Sequence, residues 1–231
     1  DPVELEVLEP GLFGSPGVPV LQITDELING AGFCRHLSED EGGEPRIFAL
    51  LRSMLFDRNA YPLNALLADS HDDCDEACYA CLLRYGNQQY HGLLDWQLGV
   101  TYLRSMADPG FRCGLDGEFE SPGLSKWPSL AMRIAEAGQR RFTGRGSPRV
   151  LAGIVPSFDL PVAGDDSVSI VVAHPLWDDP RNGVAGRSLL GDAVAEAEAD
   201  GNRVFVWDTF NLSRRIVQVR EVTRAIAADN R

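Results

Sequence analysis

The sequence predicts a mixed α/β fold in two parts, a module of helices and short strands followed by an α/β sheet domain. In the second half, short β-branched runs bracket a helical pattern of about fifteen residues. In the first half, alternating segments are interspersed with amphipathic helical patterns. The 231 residues, 44% of them hydrophobic, suffice for one or two folded domains and exclude a disordered chain.

Charge is distributed unevenly along the chain, which has a net charge of −13. Residues 1–120 hold 21 acidic and 7 basic side chains, whereas residues 121–231 hold 13 acidic and 14 basic ones. The overall charge argues against a protein that coats nucleic acid through bulk electrostatics, although a local basic face remains possible. No apolar run approaches the roughly 18 residues of a membrane helix, so we expect no membrane partner.

The first elements are two short strands followed by a turn. Residues 3–9 alternate apolar and acidic side chains, and residues 20–24 form a second apolar run, so both are predicted strands. Two glycines within residues 25–32 then favour a close turn that opens a helix ending near residue 37. Residues 38–44 are expected to form an acidic loop.

Two amphipathic helices and a boundary complete the first half. Apolar side chains recur at three- and four-residue spacing in residues 46–57 and again in residues 92–106, where Asp108-Pro-Gly ends the pattern. The glycine-rich segment that follows lacks periodicity and is typical of a joint. We therefore predict one domain over residues 1–112 and a second over residues 113–231.

The second half alternates helices and β-branched runs. Its predicted helices are centred on residues 130–137, 184–199 and 214–228, and its predicted strands are residues 149–155, 167–174 and 203–208. The last two strands and the helix between them predict a strand-helix-strand unit that is buried on both faces of a sheet.

Four side chains that can bind a metal lie within eleven residues. Their spacing is His71-x2-Cys74-x3-Cys78-x2-Cys81, and such short intervals let tight turns aim several donors at one ion. Three sulfurs and one imidazole suit zinc better than magnesium or calcium, and four protein ligands indicate a closed, structural site. An iron–sulfur cluster would normally require a fourth cysteine.

The fourth ligand is the open point of this prediction. His71 is the first choice and His91 the alternative, while Cys34 would qualify if the fold brought it near. Cys113 is expected to be unliganded. The competing hypothesis is a set of buried or redox-active thiols without metal. The acidic neighbours of the cluster argue against reactive thiolates of low pKa.

The residues around the cluster resemble a known family. The run from Cys78 to Gln88, followed by His91 and by Leu93-Leu94-Asp95-Trp96, is similar to the MrfA-like zinc-binding domain at the C-terminus of superfamily 2 DEAD/DEAH-box helicases. The glycine-bearing turn at residues 25–32 is similar as well. The resemblance covers about residues 15–107 of this chain.

The resemblance also bears on individual residues. In the best-known branch of the family four cysteines hold the zinc, but this chain has Arg84-Tyr85-Gly86 where the last of them would stand. Because this chain lacks that cysteine, we expect His71 to be the fourth ligand. Asn87, His91 and Asp95 are expected to tie the loop to the following helix through hydrogen bonds.

For function, the resemblance implies an accessory part of an ATP-dependent DNA helicase of DNA repair or anti-phage defence. Such a part would work on single-stranded or unwound DNA beside motor domains of the same chain and repair or defence subunits. No Gly-x4-Gly-Lys-Ser/Thr motif and no Asp-Glu-Ala-His or Asp-Glu-Ala-Asp box occurs, so ATP would bind only to the motor domains. We expect this chain to be a non-catalytic piece of a longer cytoplasmic protein.

A basic segment is the candidate contact with DNA. Residues 124–150 carry six basic side chains and one acidic one, a local charge of +5. Arginines bind phosphates, and an adjacent tryptophan can stack on unpaired bases. The candidate residues are Lys126, Trp127, Arg140, Arg141 and Arg145. The alternative is a solvated helix face that pairs with the acidic half.

Aromatic side chains near the cluster have a simpler interpretation. Tyr79, Tyr85, Tyr90 and Trp96 are expected to fill a small core around the metal loop rather than to stack on bases.

Two further functions compete with the helicase hypothesis. One is a protein-interaction scaffold in a bacterial defence complex. The other, ranked last, is a metal-dependent nuclease that uses Asp159, Asp178 and Asp208. The single lysine of the chain lacks the acidic residue two positions earlier that one large nuclease class requires.

Overall fold

The computed structural model has the mixed α and β content that the sequence predicts. It describes residues 5–7, 23–25, 32–162, 167–181, 188–201 and 203–229. Two compact units are present, Asp1–Ala65 and Leu66–Arg231. The boundary predicted at residues 112–113 therefore falls inside the second unit, because the cysteine segment makes its contacts with the sheet-bearing part of the chain. Among the described helices, none combines the length and the apolarity needed to cross a bilayer.

The first unit contains a two-stranded antiparallel pair and a short helix. Strand β1 is Leu5–Val7, strand β2 is Ile23–Asp25 and helix α1 is Phe33–Ser38. The Asp25 carboxylate accepts the backbone N–H groups of Gly32 at 3.2 Å and of Cys34 at 3.1 Å. These bonds satisfy amide groups at the start of α1, which is how an aspartate stabilises a helix N-terminus.

The predicted acidic loop is a minimal hairpin followed by the predicted amphipathic helix. Strands β3, Asp40–Glu41, and β4, Glu44–Pro45, pair across Gly42 and Gly43, both of which have positive φ. Helix α2 is Arg46–Phe56, as its periodicity predicts. Glycine is needed in this turn because other residues seldom adopt left-handed backbone conformations.

The remaining elements follow in an order that places helices before, between and after four strands. The helices are α3 Leu63–Leu66, α4 Trp96–Ala107, α5 Trp127–Phe142, α6 Leu189–Ala199 and α7 Thr209–Asp229. The strands are β5 Arg149–Leu151, β6 Val155–Pro161, β7 Ser167–Ala173 and β8 Arg203–Asp208.

The four strands form one sheet in the order β5-β6-β7-β8. The first three are antiparallel neighbours, whereas β7 and β8 are parallel and are joined through α6, which confirms the predicted strand-helix-strand unit. Helix α5 packs directly on β6, since a Cβ atom on Gly138 would lie 2.8 Å from the Phe158 ring. The main apolar core lies between this sheet and its helices.

Three predicted elements differ from the structure. Residues 149–155 are not one strand, because Ala152 and Gly153 turn the chain with φ of 47° and 78° and separate β5 from β6. Helix α4 begins at Trp96 rather than at residue 92, where the Asp95 carboxylate accepts the Leu98 N–H at 3.0 Å. The predicted last helix is preceded by a short helical segment that begins at Thr209, and a kink at Arg215 separates the two parts of α7.

Candidate metal centre

The segment between α3 and α4, residues 69–95, is built from successive tight turns and is called the metal loop below. A 3-10 turn, Asp69–His71, ends at the histidine, and the Cys74 N–H donates to the His71 carbonyl at 3.0 Å. The next turn is closed by Cys81 and Leu83, whose N–H groups donate to the Cys78 carbonyl at 3.1 and 3.0 Å. The two turns aim four side chains into the same space.

These four side chains form a cluster that can hold a metal ion. One potential ligand atom from each of His71, Cys74, Cys78 and Cys81 lies within 4.8 Å of all the others. The Cys81 sulfur lies 3.9 Å from that of Cys74 and 3.8 Å from that of Cys78, and all three thiols are free. A disulfide would need sulfurs about 2.05 Å apart. The cluster is the predicted set of donors.

The imidazole of His71 is oriented as a metal ligand would be. Its Nδ1–H donates to the Leu66 carbonyl at 3.0 Å, so Nε2 carries the free lone pair. That Nε2 is buried and has no hydrogen-bond partner among the described residues. A buried unpaired nitrogen is unfavourable, and a histidine that binds a metal usually donates its other N–H to a carbonyl. His71 therefore fits the place of fourth ligand.

The alternative ligands have other partners. His91 Nε2 lies 3.0 Å from the Arg84 carbonyl oxygen, which can only accept a hydrogen bond. This nitrogen therefore carries a hydrogen and has no lone pair free for a metal. The Cys113 sulfur lies 3.5 Å from His174 Nδ1 in the apolar core, and burial raises its pKa to about 12. Cys34 belongs to α1 in the first unit.

The thiols of the cluster differ in acidity. Burial raises the pKa of Cys74 to about 12, and hydrogen bonds with the other two thiols add to this effect. Burial also acts to raise the pKa of Cys78, but the backbone N–H of Ala80 and the neighbouring thiols outweigh it and lower this pKa to about 7.

Of the three residues predicted to tie the loop to the following helix, Asn87 and His91 make their hydrogen bonds within the loop instead. Asn87 Oδ1 accepts the Arg84 N–H at 2.8 Å, and Asn87 Nδ2 donates to the Leu82 carbonyl at 3.0 Å. His91 Nε2 lies 3.0 Å from Asn87 Oδ1 as well as from the Arg84 carbonyl. Asp95 instead caps α4, so its contribution is to fix where the helix begins.

Two side chains of α4 donate hydrogen bonds to backbone carbonyls of the cluster segment. The Trp96 indole N–H donates to the Cys74 carbonyl at 3.1 Å, and its ring lies 5.5 Å from the His71 ring. Gln97 Nε2 donates to the Asp75 carbonyl at 2.6 Å. The tryptophan is buried, so the metal loop and α4 share a small core.

Cations from α7 and from the start of α5 also bond the loop. Arg214 donates to Glu76 Oε2 at 2.9 Å and to the Gly92 carbonyl at 2.6 Å, while its guanidinium lies 4.0 Å from the centroid of the Phe210 ring. Lys126 Nζ donates to the Asp72 carbonyl at 2.7 Å. These bonds explain why the cysteine segment belongs to the same compact unit as the sheet.

The predicted DNA-contact residues separate into two groups. Trp127 is only 4% exposed and stacks on Phe119 with centroids 5.4 Å apart, so its ring is not available to bases. The Lys126 ammonium group is bonded to the Asp72 carbonyl of the metal loop. The end of α5 remains exposed, with Arg140 near Glu136 at 3.8 Å and with Arg141 and Arg145 beyond it.

Two tyrosines that were expected in a core are on the surface. Tyr79 is 68% exposed and Tyr85 is 87% exposed, whereas Trp96 is buried as predicted. Both tyrosines lie in turns without apolar periodicity, and that lack of periodicity was the available signal that no core surrounds them.

Two acidic residues of the nuclease hypothesis, Asp208 and Asp159, lie in regular structure elements or at their ends. Asp208 accepts the Asn211 N–H at 2.9 Å and its side-chain amide at 2.7 Å at the start of α7, and Asp159 lies within β6 rather than after it. In the part of the chain that the structure describes, the cysteine cluster is the one group of three or more potential ligands.

No protein family, curated protein or solved structure matches this chain in comparisons with known proteins. The geometry of the cluster is therefore the basis for the functional proposals.

Proposed function

We propose that this chain is a structural zinc module, the non-motor portion of an ATP-dependent DNA helicase, and that it positions DNA or a partner subunit. The observation that carries the zinc proposal is the buried, unpaired Nε2 of His71 beside three free thiols. The resemblance of residues 78–96 to the MrfA-like domain supports the helicase context. The reduced thiols favour the cytoplasm.

The distances within the cluster support zinc. Two sulfurs bound about 2.3 Å from an ion in tetrahedral directions lie about 3.8 Å apart. The observed sulfur separations are 3.8 and 3.9 Å. Soft sulfur donors also favour zinc over magnesium or calcium, and four protein ligands leave no open position for a substrate.

Zinc would stabilise the ordered conformation of this loop. Few side chains between Asp69 and Asp95 are buried, so the loop lacks the apolar contacts that usually offset the entropy lost on ordering. Ligand bonds supply that free energy instead, as in other small zinc modules. The ordered loop would then hold its outer surface in a fixed position.

Metal analysis of the reduced chain tests this proposal. We expect about one zinc per chain, and we expect His71→Ala and Cys81→Ser to lose it. His91→Ala and Cys34→Ser are matched controls that should retain it. Cobalt substitution should give a thiolate-to-cobalt absorption band that the same two variants lose. A chain without zinc, or zinc loss in the His91 variant instead, would contradict the proposal.

The exposed end of α5 is the proposed DNA contact. Changing Arg140→Glu together with Arg141→Glu should weaken binding to single-stranded DNA and lower the salt slope by about one unit per lost phosphate contact. Arg58→Glu, an exposed arginine of the first unit, is the control. Unchanged affinity of the double variant across a salt titration would reject this contact.

A protein-interaction scaffold is the second candidate function. The exposure of Tyr79 and Tyr85 on the metal loop favours it, because large exposed aromatic surfaces often mark binding sites. This surface can belong to a helicase subunit as well as to a separate scaffold.

A further inference from the structure

The metal loop exposes a group of large side chains, of which Tyr79 also meets the His91 ring edge-on with centroids 5.9 Å apart. Tyr79 and Tyr85 are the most exposed, and Leu82 and Leu93 are each more than one-third exposed. All four come from residues 79–93, a segment that also carries Cys81, one of the proposed metal ligands. We call these four side chains the loop face. Several large exposed apolar side chains within one short segment commonly mark an interaction site.

The backbone beneath the loop face is held in place by side-chain hydrogen bonds. Asn87 bonds the backbone at Leu82 and Arg84, as described above, and Arg84 Nη1 donates to the carbonyls of Leu83 at 2.8 Å and Tyr79 at 3.4 Å. Arg214 fixes the Gly92 carbonyl beside Leu93. A rigid backbone that presents tyrosines loses little conformational entropy on binding, which favours recognition.

Charge around the loop face distinguishes between classes of partner. Residues 69–95 contain six acidic side chains and one arginine. Arg133 and Arg214 pair with Asp75 and Glu76, but Asp69, Asp72 and Asp73 have no ion pair within the described ranges. The unpaired carboxylates would repel phosphates and attract basic side chains.

We propose that the loop face is the docking site for a basic segment of a partner protein that anchors on Tyr79 and Tyr85 through apolar side chains. This inference rests on the proposed function, because the metal orders the loop, and it specifies the partner. Tyrosines are enriched among the residues that dominate protein interfaces, and basic residues of the partner segment would be attracted by the acidic side chains of residues 69–76. Stacking on bases, worth about 1–3 kcal/mol per base, would be opposed here by repulsion between carboxylates and phosphates.

A random-peptide library displayed on phage and selected against the zinc-loaded full chain tests the proposal. We expect the selected peptides to combine arginine or lysine with leucine or aromatic residues. A selected peptide, labelled and titrated by fluorescence anisotropy, should bind about tenfold or more weakly to the Tyr79→Ser, Tyr85→Ser double variant. Its affinity for the original chain should fall with added salt.

Controls separate this proposal from the alternatives. Tyr61→Ser removes an equally exposed tyrosine of the first unit and should leave peptide binding unchanged. A labelled oligothymidine is the nucleic-acid probe. Loss of its binding in the double variant would overturn the proposal in favour of single-stranded DNA. Selected peptides without basic residues, or equal peptide affinity in the double variant, would also overturn it.

Zinc content is measured on the same samples. Full zinc content together with either overturning result rejects the loop face alone and leaves the zinc module standing. A chain that folds without zinc rejects the proposed function itself, whatever the peptides do.

Discussion

The metal loop and the four-stranded sheet belong to one compact unit but are stabilised in different ways. In β7, six of seven side chains are buried, and apolar contacts with the flanking helices surround them. In residues 69–95, the buried side chains are those of His71 and Cys74, and the loop contains free thiols, a helix cap and hydrogen bonds to cations. Apolar burial stabilises the sheet, whereas the loop has little apolar burial and would depend on the proposed zinc ion for its stability.

The largest expected effect follows from removing the metal. A chelator, or Cys81→Ser, should remove hydrogen-exchange protection from residues 72–94, because their order depends on ligand bonds. Protection of Val168–Ala173 should remain, since that strand is buried on both faces. Native-state exchange resolved by peptide measures both regions at once. Simultaneous loss of protection in the sheet would show that the two regions do not differ in what stabilises them.

A substitution that leaves a cavity in the sheet core should destabilise the fold without releasing zinc from the loop. Ile170 is fully buried in β7, and Ile170→Ala should lower the free energy of unfolding by about 2–5 kcal/mol while zinc content stays at one per chain. Val150→Ala, on an exposed position of β5, is the control and should change little. Urea unfolding with parallel metal analysis checks both. A loss of zinc in the Ile170 variant under native conditions would contradict the separation.

Acid should destabilise the sheet region through His174. Burial lowers the pKa of this histidine from 6.5 to about 4, despite the opposing effect of Asp208. The unfolded chain therefore takes up a proton as the pH falls below 6.5, while the folded chain stays neutral until about pH 4, and stability is lost across that interval.

The loss should reach about 3 kcal/mol between pH 7 and pH 4. It appears as the difference between the original chain and His174→Asn in urea unfolding at the two pH values, because protonation of the metal ligands is common to both. Equal pH dependence in the two proteins would show that this imidazole titrates normally.

The smallest effects should distinguish two arginines that hold the loop. The Arg214 side chain is 15% exposed and bonds a carbonyl as well as Glu76, so Arg214→Ala should lower the free energy of unfolding by about 1–3 kcal/mol. Arg133 and Asp75 are about 60% exposed, so Arg133→Ala should cost at most about 1 kcal/mol. Thermal unfolding at low and high salt measures both. Equal losses would mean that burial does not set the strength of these contacts.

Sequence patterning predicted most elements of the sheet region and the ligands of the loop. Buried β-branched runs gave β7 and β8, and the short spacing from His71 to Cys81 gave the cluster, because both signals are local. The split between β5 and β6 was missed because Ala152 adopts a left-handed conformation that a sequence pattern does not reveal.

The surroundings of the site were harder to predict. Trp127 was assigned to a DNA surface, yet it packs against Phe119 and Trp177 in the core. Tyr79 and Tyr85 were assigned to a core, yet they are exposed. In both cases residue type was known but the packing partners lie far away in sequence, and burial depends on those partners.

The sequence by itself determined which donors are available for a metal, because ligand spacing within tight turns is a local property. It also determined the overall class of fold, because periodicity of apolar residues reflects secondary structure. Only the tertiary structure showed that His71, rather than His91, lies beside the three thiols. The Leu66 carbonyl fixes one imidazole with its free nitrogen unpaired, and the Arg84 carbonyl engages the other. Hydrogen-bond partners set the role of each ring, and those partners are positioned by the fold.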